Sequence, residues 1–439
     1  MTYRFAEFFA GGGLARLGFG PGWDCAFAND IEQWKAEVYQ RNFGSDGLLV
    51  GDICLVRSGQ VPPTDVWWSS FPCQDHSTAG EREGFSGARG SLVFQVTRLL
   101  HAASNCGDAP PIVVFENVLA FASAGKGRDL VALVTSLVSA GYRAGALVLD
   151  ALSFVPQSRP RLLIVAIRKD LPVARSLEAP RPIARLHPPS VVRAAGMLRS
   201  REAAAWIWWR LPAPPACLTR LADVVEPVGS HNLRWRSADN VSSLIATVSP
   251  ADARRLQAIR CSGAETYGTV VLRPAAGGQG RSLAFRLDGV AGCLMGKADL
   301  RYQQLCRVMG DDVAIRPFTK LELARMMGLP SDYQLPSSVA RTARLTGDGV
   351  AVPVVRWLAS RLLEPLLYTA LIHTRTSVPA APVRSLPQRH RKAALAQADG
   401  SSRLKAVTRG TTLYLLPSEM ERLQSVAYAQ HLSVHEFLL

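Results

Sequence analysis

The chain has no closely spaced pair of cysteines. Its eight cysteines stand at 25, 54, 73, 106, 217, 261, 293 and 306 with no CxxC among them, so neighbouring residues cannot build a zinc or redox pair. Reduced thiols and a cytoplasmic setting are the expectation. Long apolar runs are missing too. No stretch of about 18 consecutive apolar residues occurs, and the start MTYRFAEFF lacks a basic segment followed by an apolar one, which argues against secretion and membrane spanning. Charge is sparse at 19% of residues, and acidic charge is sparser, with 35 Asp+Glu against 50 Lys+Arg for a net +15. That sign suits a polyanionic partner. With 48% apolar residues the chain can bury a sizeable core, which excludes a disordered chain, collagen and a small disulfide scaffold. At roughly 150 residues per domain the length allows two or three domains.

The positive charge is concentrated. Residues 181–312 hold 18 basic and 10 acidic side chains, residues 374–409 hold 8 and 1, and the remainder balances. Two separate segments are therefore suited to phosphate.

From 1 to about 170 short β-rich runs at 3–9, 65–70, 112–116, 146–150 and 162–168 alternate with amphipathic stretches such as 92–103 and 130–140. This alternation predicts an α/β fold with a parallel sheet covered by helices on both faces. The regularity stops in the Pro-rich run 171–189, and 176–312 reads as an inserted basic domain. Helix-like segments at 319–327 and 350–367 then pack back on the first domain. Residues 374–409 read as a flexible basic linker. Order is expected again at 410–439, with a strand at 411–416 and helix N-caps at Ser418 and Ser433.

Chemistry-bearing residues collect at the ends of these strands. The first run ends in Phe9-Ala10-Gly11-Gly12-Gly13 and opens into a helix, so small residues and backbone N–H groups let a nucleotide-like ligand approach. Asp30, 17 residues after Gly13, falls where a carboxylate at the end of a second strand accepts from ribose hydroxyls. Asp52, in Gly51-Asp52-Ile53, suits an adenine amino group, although a loop aspartate is more often simply solvated. Phe71-Pro72-Cys73-Gln74 puts Cys73 at the carboxyl edge of the sheet, where doubly wound folds bind ligands. Glu116-Asn117-Val118 and Gln157-Ser158-Arg159-Pro160-Arg161 reach the same edge. A carboxylate beside arginines can be a structural ion pair, but a thiol next to an acid is what covalent catalysis needs.

In this order FFAGGG, GDI, FPCQ, ENV, QSRPR, RPFTKLELARMMGLPSDY and GDGVAVPV resemble the motifs of the DNA (cytosine-5)-methyltransferases that use S-adenosylmethionine. They cover about 1–170 and 313–367. The resemblance implies a doubly wound, Rossmann-like methyltransferase sheet interrupted by a smaller mixed target-recognition domain. The implied organisation is 1–175 catalytic, 176–312 target recognition, 313–373 a return to the catalytic domain, 374–409 linker and 410–439 tail.

The resemblance also implies roles. Cys73 would add to carbon 6 of a cytosine flipped out of duplex DNA, and Glu116 would protonate or hydrogen-bond N3. Arg161 and Arg159 would hold the cytosine O2 and the Cys73 loop, with Asn117 fixing that loop's shape. Phe9, Gly11, Gly13, Asp30, Asp52, Pro72, Leu92 and Val350 would form the cofactor shell. Ser77, Arg89 and Gln157 would contact DNA or substrate, and Gln279, in the glycine loop 277–280, would enter the vacated stack. No metal is implied. Glu7 stands where the family commonly has Asp, Asp348 lies in GDGV where GNSV is common, and Cys293-Leu294 takes the place of Thr-Leu. No side-chain role is carried to Asp348 or Cys293. The aromatic block 206–209 is expected in the core, ahead of a base-stacking role.

The tail partly resembles a ribbon-helix-helix module, which would make the chain a homodimer. The implied setting is a bacterial or phage cytoplasm, at the nucleoid, in a restriction-modification system or as an orphan modifier. Two rivals stand beside this reading: a cytosine-5 tRNA methyltransferase, which carries a shorter insertion, and a DNA-binding regulator that has lost catalysis.

Overall fold

Seven strands pair into one sheet in the order β3-β2-β1-β4-β5-β7-β6. They are β1 (Tyr3–Phe8), β2 (Trp23–Asp30), β3 (Leu48–Val50), β4 (Val66–Ser70), β5 (Ile112–Val118), β6 (Tyr142–Asp150) and β7 (Pro160–Arg168). The computed structural model describes residues 2–72, 92–230, 233–274, 281–296, 303–377, 404–408 and 411–415. Strands β1 to β5 pair in parallel, and β7 enters antiparallel between β5 and β6. The expected all-parallel sheet is therefore corrected at this edge. Its cause is the short connection after β6: β7 begins ten residues beyond Asp150, too close for the crossover helix that a parallel return requires.

Helices α1 (Leu14–Phe19), α2 (Gln33–Phe43), α3 (Leu92–Cys106) and α4 (Arg128–Ser139) flank the sheet. In β5, Ile112 to Phe115 are all buried, as expected for a strand covered on both faces. One core includes Phe5, Trp68 and Val114, and the other Phe8, Trp67 and Phe115. These neighbours alternate because successive strand residues face opposite sides.

The aromatic block packs in the core, as expected, with Ile207 and Trp209 in the first core and the half-buried Trp206 and Trp208 against the second. Strand β8 (Glu178–Ala179) pairs with β9 (Trp208–Trp209), and the fully buried Trp209 donates from Nε1 to the carbonyls of Gly145 and Val165, both at 3.2 Å. Leu186, Leu211, Leu221 and Val224 lie in the same core. Much of 178–224 thus packs with the catalytic sheet. A separate small core unites Val241, Leu256, Val270, Leu283, Phe285, Cys306, Val308 and Ile315 around β10 (Thr266–Pro274), β11 (Arg281–Arg286), β12 (Gln304–Met309) and β13 (Asp312–Arg316), an antiparallel sheet in the order β11-β10-β12-β13.

The chain returns through a buried ion pair. Arg316 donates to Glu322 at 2.5 and 2.8 Å, and Glu322 also accepts from the backbone N–H of Thr319 at 2.9 Å and of Glu226 at 2.8 Å. Thr319 caps the helix Lys320–Arg325 in a capping box with Glu322. This satisfies the orphan amides of the first turn and stops the helix from fraying. The helical run 352–377 completes this unit, which ends at Ser377.

Residues 378–439 form a second compact unit. Within it the strands Leu404–Thr408 and Thr411–Leu415 pair antiparallel. The strand expected at 411–416 is present at 411–415, and 404–408, expected within the flexible linker, is its hairpin partner.

Candidate active site

The glycine turn after β1 is built by steric necessity. Gly11 and Gly13 have φ +56° and +79°, a region costly for residues with a Cβ. A Cβ on Gly13 would stand 2.3 Å from the Phe43 ring, and one on Gly12 2.5 Å from the Tyr333 hydroxyl. That hydroxyl donates to the Gly12 carbonyl at 2.7 Å, tying the GLPSDY motif to the turn. Phe9 is also left-handed, at φ +57°. Strain at a bulky residue is tolerated where the surrounding fold fixes it.

Asp30, at the end of β2, receives the Gly11 N–H at 2.7 Å and the Glu32 N–H at 2.8 Å. Burial raises its pKa, opposed by those backbone bonds and by Lys35. Ile31 beside it is 64% exposed, an apolar surface next to a carboxylate that the sequence reading missed. Asp52 lies at the end of β3, with one oxygen accepting from the Cys54 N–H at 2.9 Å. Leu92 opens α3, and Pro72 follows the buried Phe71. Val350 is only 2% exposed, in the core with Leu14 and Leu345. Its expected place on the cofactor wall is therefore corrected to a supporting position, because packing has consumed the side chain's surface.

On the other side of β4, Glu116 and Arg161 meet. Arg161 Nε lies 3.1 Å from Glu116 Oε1, and both side chains are buried. Asn117 donates to the Phe71 carbonyl at 3.1 Å, so it ties β5 to the segment that leads into Cys73. Cys73, Ser77 and Arg89 lie outside the described residues, as does Gln279.

Arg159 turns inward. Fully buried, it donates to Cys293 Sγ at 3.1 Å and to the carbonyls of Leu294 at 3.0 Å, Gly347 at 2.7 Å and Gly349 at 2.6 Å. With this set engaged, it cross-links three distant segments as an internal brace, and the Cys73 loop it is expected to hold lies outside the described residues. The place expected for Gln157 is corrected. It is fully buried, donates to the Met326 carbonyl at 2.8 Å and accepts the Leu294 N–H at 3.0 Å, which leaves no surface for DNA. Asp150 holds this turn by accepting from the Arg159 N–H at 2.6 Å.

Cys293, to which no role had been carried, stands inside this network, with Arg161 Nη2 and Nη1 at 3.8 and 3.9 Å. Burial alone would raise its pKa, but the Arg159 and Arg161 guanidiniums outweigh it and hold the thiol below its ordinary value. The Cys293-Leu294 dipeptide was the available sequence signal. For Lys35 there is no such signal, because a lysine in an amphipathic helix looks like any solvated one.

The residues at the cofactor end fit an adenosyl ligand. Two carboxylates at successive strand ends suit hydroxyl and amino groups, exposed Ile31 suits a flat base, and Gly51 has open space where a Cβ would stand. A carboxylate–guanidinium pair lies across the switch point between β1 and β4, where doubly wound sheets bind ligands. These features are those of the doubly wound class of nucleotide-cofactor proteins. The sequence profile described as C-5 cytosine-specific DNA methylase matches residues 3–364, and the chain belongs to that family.

Among curated relatives, the Type II methyltransferase M.NlaX of Neisseria lactamica is 26% identical over 375 residues, covering 83% of this chain and 97% of the relative. M.HhaI of Haemophilus parahaemolyticus is 34% identical over 181 residues, 41% of this chain and 53% of the relative. Two solved structures support the fold alone. S. pombe Dnmt2 methyltransferase has TM-score 0.50 at 16% identity, covering 83% of this chain and 99% of its own. Entamoeba histolytica EhMeth has TM-score 0.54 at 12% identity, covering 84% and 98%. The protein is a DNA (cytosine-5)-methyltransferase that uses S-adenosylmethionine. No helix among the described residues is long and apolar enough to cross a membrane, and no group of metal-ligating side chains occurs among them.

Proposed function

We propose that this methyltransferase works through a covalent adduct of Cys73 with a cytosine flipped out of a specific duplex sequence. The observation that carries the proposal is the buried Glu116–Arg161 pair, with Asn117 beside Glu116 anchoring the segment that leads to Cys73. Carbon 5 of cytosine is a poor nucleophile in the aromatic ring. Addition of the Cys73 thiolate to carbon 6 moves an electron pair toward N3 and makes carbon 5 electron-rich. Glu116 delivers a proton to N3 as that charge develops, and Arg161 orients the Glu116 carboxyl. When bound, S-adenosylmethionine supplies an electrophilic methyl group on a sulfonium. Carbon 5 would take that methyl group as the uncharged thioether departs; loss of the carbon-5 proton to water, departure of the Cys73 thiolate and return of the N3 proton to Glu116 then restore the ring. Phe9, Gly11, Gly13, Asp30 and Asp52, with Ile31, would hold the adenosyl group, and Pro72 and Leu92 would close the shell.

Segments 238–316 carry target recognition in this proposal, with Gln279 as the wedge and Ser77 and Arg89 as phosphate contacts. Residues 238–316 hold 10 basic and 7 acidic side chains, a small positive excess in keeping with a polyanionic partner. The hairpin of the second unit offers an edge for pairing with a second copy, and the proposed setting is a bacterial restriction-modification system. Expression in a host free of cytosine methylation, followed by bisulfite sequencing, tests the whole reading. A reproducible methylated motif supports it, and unmodified DNA beside abundant folded protein refutes it.

A further inference from the structure

Lys35 is a lysine that the fold has buried. It stands in the first turn of α2 at 8% exposure, and its Cδ lies 4.0 Å from the point where a Cβ on Gly11 would be. Its stem therefore packs against the glycine turn. Its ammonium is held by Asp348 Oδ2 at 2.9 Å and Glu32 Oε1 at 3.0 Å. Burial would lower its pKa, but Asp348 and Asp30 lead the charges that hold it above its ordinary value, so Lys35 is charged. Glu32 is claimed elsewhere as well. It accepts from Trp34 Nε1 at 2.7 Å and pairs with Arg344 at 2.9 Å. Asp348 has only the more distant Arg344 Nε, at 3.7 Å, as a second cation. The positive charge behind the glycine turn is thus compensated from two sides, by Asp30 and Glu32 beside it and by Asp348 from more than 300 residues away.

Compensation matters because of what the methyl donor is. Its sulfur carries a full positive charge until the methyl group leaves, after which the remaining thioether is uncharged and otherwise the same molecule. A charge in the cradle therefore acts on the difference between donor and product, while hydrogen bonds to ribose and adenine act on both alike. We propose that Asp348 is a specificity-determining residue: by neutralising Lys35 it lets the cradle favour the sulfonium donor over the thioether product. This rests on placing the donor at the glycine turn.

Calorimetric titration of the full-length chain with S-adenosylmethionine and with S-adenosylhomocysteine, in the absence of DNA, tests it without turnover. Asp348→Asn leaves Lys35 under-compensated and should weaken donor binding by about fivefold more than product binding. Lys35→Met leaves Asp348 uncompensated and should shift the ratio the opposite way. Combining the two should bring it back toward wild type, and raising the salt concentration should shrink both shifts. Opposite signs in two single variants are something a merely structural role does not produce. Equal losses for both ligands, or an unchanged ratio in either folded variant, would overturn the inference. Wild-type protein that binds neither ligand would instead refute the placement of the donor, and the inference with it.

Discussion

Arg161 sits diagonally across the β5–β7 ladder from Glu116. The register pairs Arg161 with Val118, so Glu116, two residues before Val118, shares its face, and Arg161 Nε closes to 3.1 Å from Glu116 Oε1. The antiparallel insertion of β7 creates this diagonal. A parallel strand would carry its own carboxyl end, rather than its start, to this edge.

Glu116→Gln keeps the shape and an acceptor for Arg161 but cannot supply the same proton. Turnover should fall by roughly 10²–10⁴, the range for lost general acid catalysis, with a small change in the unfolding midpoint. Arg161→Ala should lose both activity and stability, because it leaves a buried carboxylate without its partner. Single-turnover kinetics and urea unfolding of the two variants separate these outcomes. A Glu116→Gln protein that loses mainly stability would make the pair structural.

Arg159→Lys removes the fork that reaches the Leu294, Gly347 and Gly349 carbonyls. A single ammonium cannot replace that spread of donors, so stability should drop by about 3 kcal/mol, as when a buried charged network is broken. Chemical denaturation measures it. A loss under about 0.5 kcal/mol, the level of ordinary surface changes, would contradict the bracing role.

Glu7 is 2% exposed, and its Oε2 has no hydrogen-bond partner among the described residues. Burial pushes its pKa up to about 8, opposed by Arg16. The folded state therefore holds a proton that the unfolded chain releases above its ordinary value of 4.5. The stability this contributes is full below about 4.5 and is lost as pH rises toward 8. Glu7→Gln, which has no proton to lose, should gain on the wild type between pH 5 and pH 8. Urea midpoints for both proteins across that window decide it, and parallel pH curves would contradict the shift.

Truncation after Ser377 follows the boundary between the two compact units. The shortened chain should fold and methylate, since the last matching motif ends before it. It should bind DNA more weakly and with a flatter salt dependence, because the basic residues beyond Ser377 no longer release counterions. Sedimentation of full-length and truncated chains tests the proposed dimer: the first should dimerise and the second should not. An unfolded truncated chain would contradict the boundary.

The fold was legible where the signal is local. Alternating apolar runs gave most strands of the large sheet, and the order of motifs pointed to the family. What the sequence concealed were contacts across long separations. Nothing in QSRPR says that Arg159 turns inward to Gly347 while Arg161 turns to Glu116. The inward turn depends on Asp150 gripping the Arg159 amide and on the 291–294 segment arriving from another part of the chain. Gln157 failed for the same reason, since a polar residue in a motif was read as a contact with substrate when the fold uses it to satisfy two buried backbone groups. The inserted domain was misjudged at its start because Trp208 and Trp209 complete the catalytic core, and an apolar block does not announce which core it joins.

Trapping on DNA carrying 5-fluorocytosine in its target sequence tests the covalent claim most directly. Fluorine at carbon 5 cannot leave as a proton does, so the adduct cannot resolve. With S-adenosylmethionine present, the wild-type chain should form a complex that survives denaturing electrophoresis and whose modified peptide contains Cys73, while Cys73→Ser should form none. A wild-type protein that methylates ordinary DNA yet leaves no such complex, or a Cys73→Ser protein that still forms one, would contradict the account.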